Sequence, residues 1–148
     1  MTEDAEVIIR RMTEADLPRV KGIDSLMTGE ERAASWPVEA EKLWAVYRPL
    51  LSFVAECEGK VVGFILGDIR GVDYGTSASS MSGWIDMVGV DLRYQRHGIG
   101  RKLVEAFYQE CQRNQVRARV LIREDDQRLK KLWGAAGFKR GKLIDFER

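Results

Sequence analysis

The chain has 148 residues, with 24 basic and 23 acidic side chains and a formal net charge of +1. That length predicts one domain, residues 1–148, able to bury a core without disulfides or metal. A hydrophobic content of 45% and near-neutral charge exclude disorder and argue against general nucleic-acid binding. The two cysteines, Cys57 and Cys111, lack metal-ligand spacing and fit a reducing, cytoplasmic setting. The single histidine, His97, excludes a His-rich metal site, and no metal is expected. The first residues place acids before a short apolar run, unlike a signal peptide. No apolar run approaches the ~20 residues of a membrane span.

In chain order, the β-branched run Val7–Arg10 predicts a strand. Thr13 reads as a helix N-cap, with Glu14 and Asp16 in the first turn. Leu17, Val20, Ile23 and Met27 then recur at helical spacing as far as Gly29. A second helix is expected from Pro37 to Arg48, with Ala40, Leu43, Trp44 and Tyr47 on one stripe. Leu51–Cys57 and Val61–Asp68 form a hairpin about Glu58-Gly59-Lys60. Residues 71–82 are small and polar and predict a loop. Gly83–Val90 reads as a buried strand, and Gly98–Asn114 as a helix burying Leu103, Val104, Phe107 and Cys111. Arg117–Ile122 is a strand, Leu129, Leu132, Trp133 and Ala136 stripe a last helix, and Phe138–Phe146 returns to strand character. The order β–α–α–β–β–β–α–β–α–β implies an α/β (α+β) domain. Its mixed, mostly antiparallel sheet carries helices on both faces, and its β–α–β crossover is right-handed.

The chemistry concentrates where the Gly83–Val90 strand meets the next helix, through Gln95-Arg96-His97-Gly98-Ile99-Gly100-Arg101-Lys102. The first N–H groups of a helix have no internal partner, and the helix dipole is positive there. Glycines let a phosphate approach the backbone, and Arg96, His97, Arg101 and Lys102 add positive potential. By spacing alone, an anion site and a tight turn that packs the helix on the sheet are both open. The segment is neither a P-loop nor a dinucleotide-binding fingerprint.

Gln95-Arg96-His97-Gly98-Ile99-Gly100 resembles the Q/R-x-x-G-x-G/A motif of the GNAT N-acetyltransferases. Leu132-Trp133-Gly134-Ala135-Ala136-Gly137-Phe138 is similar to the ending of the same family, and the element order agrees over nearly the whole chain. The resemblance implies a GNAT-like twisted sheet with a V-shaped cofactor cleft. It implies acetyl-CoA as co-substrate and a primary amine as acceptor, either a small amine or a protein N-terminus or lysine. The pyrophosphate would rest on the N–H groups of Gln95 to Lys102. The pantetheine would pair like a strand with Val88, Gly89 and Val90. Transfer would be direct attack of the amine, with backbone N–H groups polarising the carbonyl and no cysteine nucleophile.

This chain departs from the family pattern at several points. Trp133 stands where a tyrosine commonly serves as general acid; it is expected to contact the pantetheine or sulfur, or to be core. Asp126 stands where a polar cofactor contact is common, or it caps the last helix. Asp86, in an otherwise apolar strand, is the expected base if it faces the cleft, the alternative being a pair with a neighbouring arginine. Glu56, and Glu30-Glu31 in the first inter-helix loop, are other candidates. Many members carry one more strand than this chain, which ends at Arg148. Either the edge so exposed is left open or covered by a second copy in a homodimer, or the natural chain continues past Arg148 and supplies the strand. A non-catalytic acyl-CoA-binding or sensing domain is the alternative function, and a nucleotide-binding module a third. No nucleic acid or membrane partner is expected.

Overall fold

The computed structural model describes residues 6–34, 49–72 and 80–148. The helix expected over 37–48 lies outside these residues, as does 73–79 of the expected loop. The elements are β1 (Val7–Arg11), α1 (Leu17–Ala34), β2 (Phe53–Cys57), β3 (Lys60–Val72), β4 (Ser80–Val90), α2 (Ile99–Arg113), β5 (Arg117–Val120) and α3 (Gln127–Ala135).

The strands form one sheet in the order β1-β2-β3-β4-β5. Neighbours are antiparallel except β4 and β5, which are parallel. Chain chemistry accounts for both arrangements. Glu58 and Gly59 adopt φ of 53° and 77°, the left-handed pair of a tight hairpin turn, and fold β3 straight back onto β2. Parallel strands need a long crossover, and α2 supplies it between β4 and β5.

Helices cover both faces of the sheet. On one face Leu103, Phe107 and Cys111 of α2 pack on Phe53, Val62 and Ile85. On the other, Leu17, Val20 and Ile23 of α1 pack on Val54, Phe64 and Leu66. Completely burying a side chain such as Phe107 or Leu17 stabilises the fold by roughly 1.5–3 kcal/mol. The seat of α2 is made of glycines. A Cβ at Gly67 would overlap the Phe107 ring, and one at Gly83 would overlap Cys111 Sγ.

Four expectations are corrected. The strands continue into the region read as a loop, where Gly71 pairs with Met81 and Val72 with Ser80. Ladder bonds use backbone groups, so small and polar residues can extend a strand already in register. The helix read as ending at Gly29 continues to Ala34 as α1, which places Glu30 and Glu31 in helix instead of loop. The strand read over Arg117–Ile122 stops at Val120, and Leu121 is 78% exposed. Phe138–Phe146 is not a strand, and Ile144 and Phe146 are exposed. Its apolar positions are broken by Lys139, Arg140, Lys142 and Asp145, and β5 offers it only four residues of edge.

Candidate functional site

The sheet parts between β4 and β5. Their parallel ladder runs from Ser82–Arg117 to Ile85–Val120 and ends there. On its other side β4 stays paired with β3 as far as Val90–Gly63. From Asp86 to Val90, therefore, one edge of β4 has no strand partner among the described residues. A bulge marks the apex of the opening: Met87 pairs with Leu66 and Ile85 with Gly67, so Asp86 is the extra residue. Bulges bend a strand and increase its twist, which turns β4 away from the line of β5.

The open edge leads into a braced turn. Asp91 is 1% exposed, and its backbone N–H donates to Val62 O at 2.8 Å. Its carboxylate accepts from the Arg93 backbone N–H at 3.0 Å, from Arg93 Nη2 at 3.0 Å and from Arg19 Nη2 at 2.7 Å. Arg19 Nε also donates to Val61 O at 2.9 Å, tying the turn to α1 and β3. The hydrogen bonds from Arg93, helped by Arg19, hold this carboxyl far below the usual carboxylate range, although burial pulls the other way.

Beyond the brace, Gln95 Nε2 donates to Val90 O at 3.1 Å and closes the turn on the strand end. Arg96 and Gly98 adopt φ of 69° and 77°. The first helical hydrogen bond of α2 is Lys102 N–H to Gly98 O at 3.1 Å. The N–H groups of Ile99, Gly100 and Arg101 therefore have no acceptor inside the helix. Ile99 is buried against Gly63 and pins the helix start to the sheet. A Cβ at Gly100 would meet only Val90 Cγ2, at 3.8 Å, an ordinary contact, so packing does not demand a glycine there. Arg96, His97, Arg101 and Lys102 are exposed around this turn. The arrangement offers an extended ligand a strand edge to pair with, then bare N–H groups and cationic side chains for its anionic end.

The residues singled out by sequence divide between the cleft and the framework. Val88, Gly89, Val90 and Gln95 to Lys102 line one continuous path from open edge to helix start. Asp86 lies at the apex and makes the arginine pair that was the alternative to a carboxylate facing the cleft. Arg70, facing it from β3, donates to both its oxygens, at 2.7 and 3.1 Å. Asp126 caps α3, accepting from the Leu129 N–H at 2.9 Å, which is the capping alternative. Trp133 is 5% exposed and sits in the α2-side core, edge-on to Phe138 with centroids 5.2 Å apart. The stripe that made its helix amphipathic is also what buries it. Glu56 is held by Arg10 at 3.2 Å. Cys57 and Cys111 are free and buried, and burial pushes the Cys111 thiol up to about 11, with neighbouring Glu110 adding to the effect. Sequence reasoning missed the bulge; the only local sign was a charged residue inside an apolar strand.

A family model described as Acetyltransferase (GNAT) family matches residues 20–138. Solved structures share the fold. An aminoglycoside N-acetyltransferase, AAC(6')-Iy, in complex with CoA is 18% identical; the match covers 100% of this chain and 97% of that one, with a TM-score of 0.77. An aminoglycoside acetyltransferase from an uncultured soil metagenomic sample, in complex with sisomicin, is 22% identical, covering 96% of this chain and 95% of that one, with a TM-score of 0.65. No curated protein matches the sequence.

Proposed function

The chain belongs to the GNAT acetyltransferase family, and on that premise we propose that it transfers the acetyl group of acetyl-CoA to a primary amine by direct attack. The observation that carries this reading is the continuity of the open β4 edge, Asp86 to Val90, with the uncommitted N–H groups at the start of α2. CoA has a matching order of parts: an amide-bearing arm suited to a strand edge, then a pyrophosphate suited to a helix N-terminus. The spare room at Gly100 fits as well, since a side chain there would stand over those N–H groups. The complexes of similar folds with CoA and with an amine-bearing antibiotic support the same donor and acceptor classes.

In this reading Val88, Gly89 and Val90 hold the pantetheine through backbone groups. The N–H groups of Gln95 to Arg101 hold the pyrophosphate, the Lys102 N–H being committed to Gly98 O, with Arg96, His97, Arg101 and Lys102 supplying positive potential. Acetyl-CoA, when bound, supplies an activated thioester. The chain's task is then to orient the amine, remove a proton and polarise the carbonyl. Backbone N–H groups of the open edge act on the carbonyl. Asp86, at the apex, is the carboxylate assigned to the ammonium proton, through water, with Arg70 fixing its orientation. Trp133, being core, provides no acid, and solvent protonates the leaving thiolate.

Thiol release from acetyl-CoA is the test, measured over a panel of small amines and peptides with free N-termini or lysines. Amine-dependent release is expected. Acetyl-CoA binding with no release for any amine would overturn the enzyme reading in favour of an acyl-CoA-binding domain.

A further inference from the structure

The face of the sheet opposite α2 carries, next to the apex, a group of donors that the proposed transfer does not use. Ala118 and Val120 of β5 pack towards the α2-side core, so alternation turns Arg117 and Arg119 to the other face. Elsewhere Arg10, Arg19, Arg70 and Arg93 each hold a carboxylate. Arg119 instead donates from Nε to Ser82 Oγ at 3.1 Å and lies over the Trp84 ring, its Cζ 5.8 Å from the centroid. Its guanidinium is thus oriented by two neutral partners, and its two terminal nitrogens are not spent on a carboxylate of the described residues. Arg117 and Arg119 line a cavity of about 420 Å³ together with Met81, Ser82, Gln115 and Val116. Among the described residues, no acidic side chain lines it.

A second observation points the same way. Trp84 is 6% exposed, and its indole Nε1 is buried with no hydrogen-bond partner among the described residues. A buried donor left unsatisfied costs about 1–3 kcal/mol, so such a group in a native fold calls for an acceptor. The ring lies beneath Arg119 and outside the lining of the cavity, so its nitrogen is placed to report on that guanidinium.

We infer that Arg119, seated on the Trp84 ring and joined by Arg117, binds an oxyanion carried by the acceptor, so that the acceptor is an amine bearing a carboxylate or phosphate. This rests on the acetyl-transfer reading above. A guanidinium with its terminal N–H pair free presents the fork that both oxyanions accept. The spacing suits a small acceptor. Arg119 adjoins Val120, the last paired residue before the sheet opens, and Ser82 lies three residues before Ile85. At about 3.3 Å per residue, the Arg119–Trp84 pair lies roughly 7 Å from Asp86. That is the span between the side-chain amine and the carboxylate of lysine, or between the ends of a short peptide. An aminoglycoside is cationic and would leave these donors unpaired.

Thiol release from acetyl-CoA is compared for glycine, alanine, glutamate and lysine against their carboxamides, for phosphoethanolamine against ethanolamine, and for sisomicin. In at least one pair the oxyanion-bearing amine is expected to have a kcat/KM at least tenfold higher. The responding arm identifies carboxylate or phosphate. Arg119→Gln should collapse that ratio to within twofold, Arg119→Lys should lower it partway, and Arg123→Gln, in an exposed ion pair with Asp125, should leave it unchanged. Melting curves establish that each variant is folded. Ratios near one in every pair, a ratio insensitive to Arg119→Gln, or preference for sisomicin would overturn the inference. A second readout does not depend on turnover: the Trp84 indole N–H resonance, assigned with Trp84→Phe, should shift on adding glutamate or phosphoethanolamine but not their uncharged partners. If no amine releases thiol while that shift appears and is lost in Arg119→Gln, the anion site stands and the transfer reading fails. An unmoved indole resonance refutes the site.

Discussion

Gly100 separates the two uses of the turn before α2, packing and ligand binding. A Cβ built there lies 3.8 Å from Val90 Cγ2 and meets nothing else within 4 Å, and the backbone is already helical. Gly100→Ala should therefore leave the fold intact and stabilise it by up to about 0.5–1 kcal/mol, the entropic cost of glycine within a helix. Gly100→Leu should also fold, but its side chain would stand between a bound pyrophosphate and the N–H groups at the helix start. A hydrogen bond to a charged group contributes about 1.5–3 kcal/mol. Losing one should weaken acetyl-CoA binding by about 10- to 150-fold, at 1.4 kcal/mol per factor of ten. Urea unfolding measures the first effect and calorimetric titration with acetyl-CoA the second. A folded Gly100→Leu protein with unchanged affinity would refute the pyrophosphate assignment. A protein that loses stability in parallel with affinity would show that the glycine serves packing after all.

Three other changes probe the framework and the chemistry. Gly67→Ala forces a methyl into the Phe107 ring and to 2.7 Å from Trp84 O, so the urea midpoint should fall by an amount equivalent to about 1–3 kcal/mol. Asp86→Asn should slow turnover by about 100-fold while acetyl-CoA affinity holds; a full rate at neutral pH would leave Asp86 only as the strand partner of Arg70. Arg10 and the Thr13 N–H hold Asp16 below the ordinary carboxylate range, and Arg113 and Arg11 do the same for Glu110, each against the opposing effect of burial. With Asp91, these groups contribute stability that is whole above pH ~5 and drains away as pH falls through their lowered folded values. Stability measured by urea should therefore stay level from pH 7 to about pH 5 and decline from there to pH 2. Asp91→Asn should lose about 1–3 kcal/mol at pH 7 and show a flatter decline, and an unchanged slope would contradict the brace.

Much of the proposed cofactor path was legible in one stretch of sequence because its determinants are local. The helix expected from Gly98 to Asn114 is observed from Ile99 to Arg113, with the two named residues as its caps. The role of a glycine at φ 77° and the bare N–H groups of a first turn depend only on neighbouring residues. Asp86 was different. Its isolation in an apolar strand was visible, but its pairing with Arg70 depends on register between strands. Trp133 and Asp126 carried two readings each, and the fold placed one in the core and the other on a helix cap.

By itself the sequence determined the sheet-forming runs, the hairpin at Glu58-Gly59, the amphipathic crossover helix and the glycine-marked turn, all properties of a few consecutive residues. Tertiary structure decided what depends on distant pairings. It placed the bulge at Asp86, ended the β4–β5 ladder at Val120, and left residues 138–146 without a strand to join. It also brought Ser82, Trp84 and Arg119 together from two strands that the chain separates by the whole of α2. The physical reason is that hydrophobic periodicity is read along the chain, whereas register is selected by which side chains and backbone groups can be satisfied together across it.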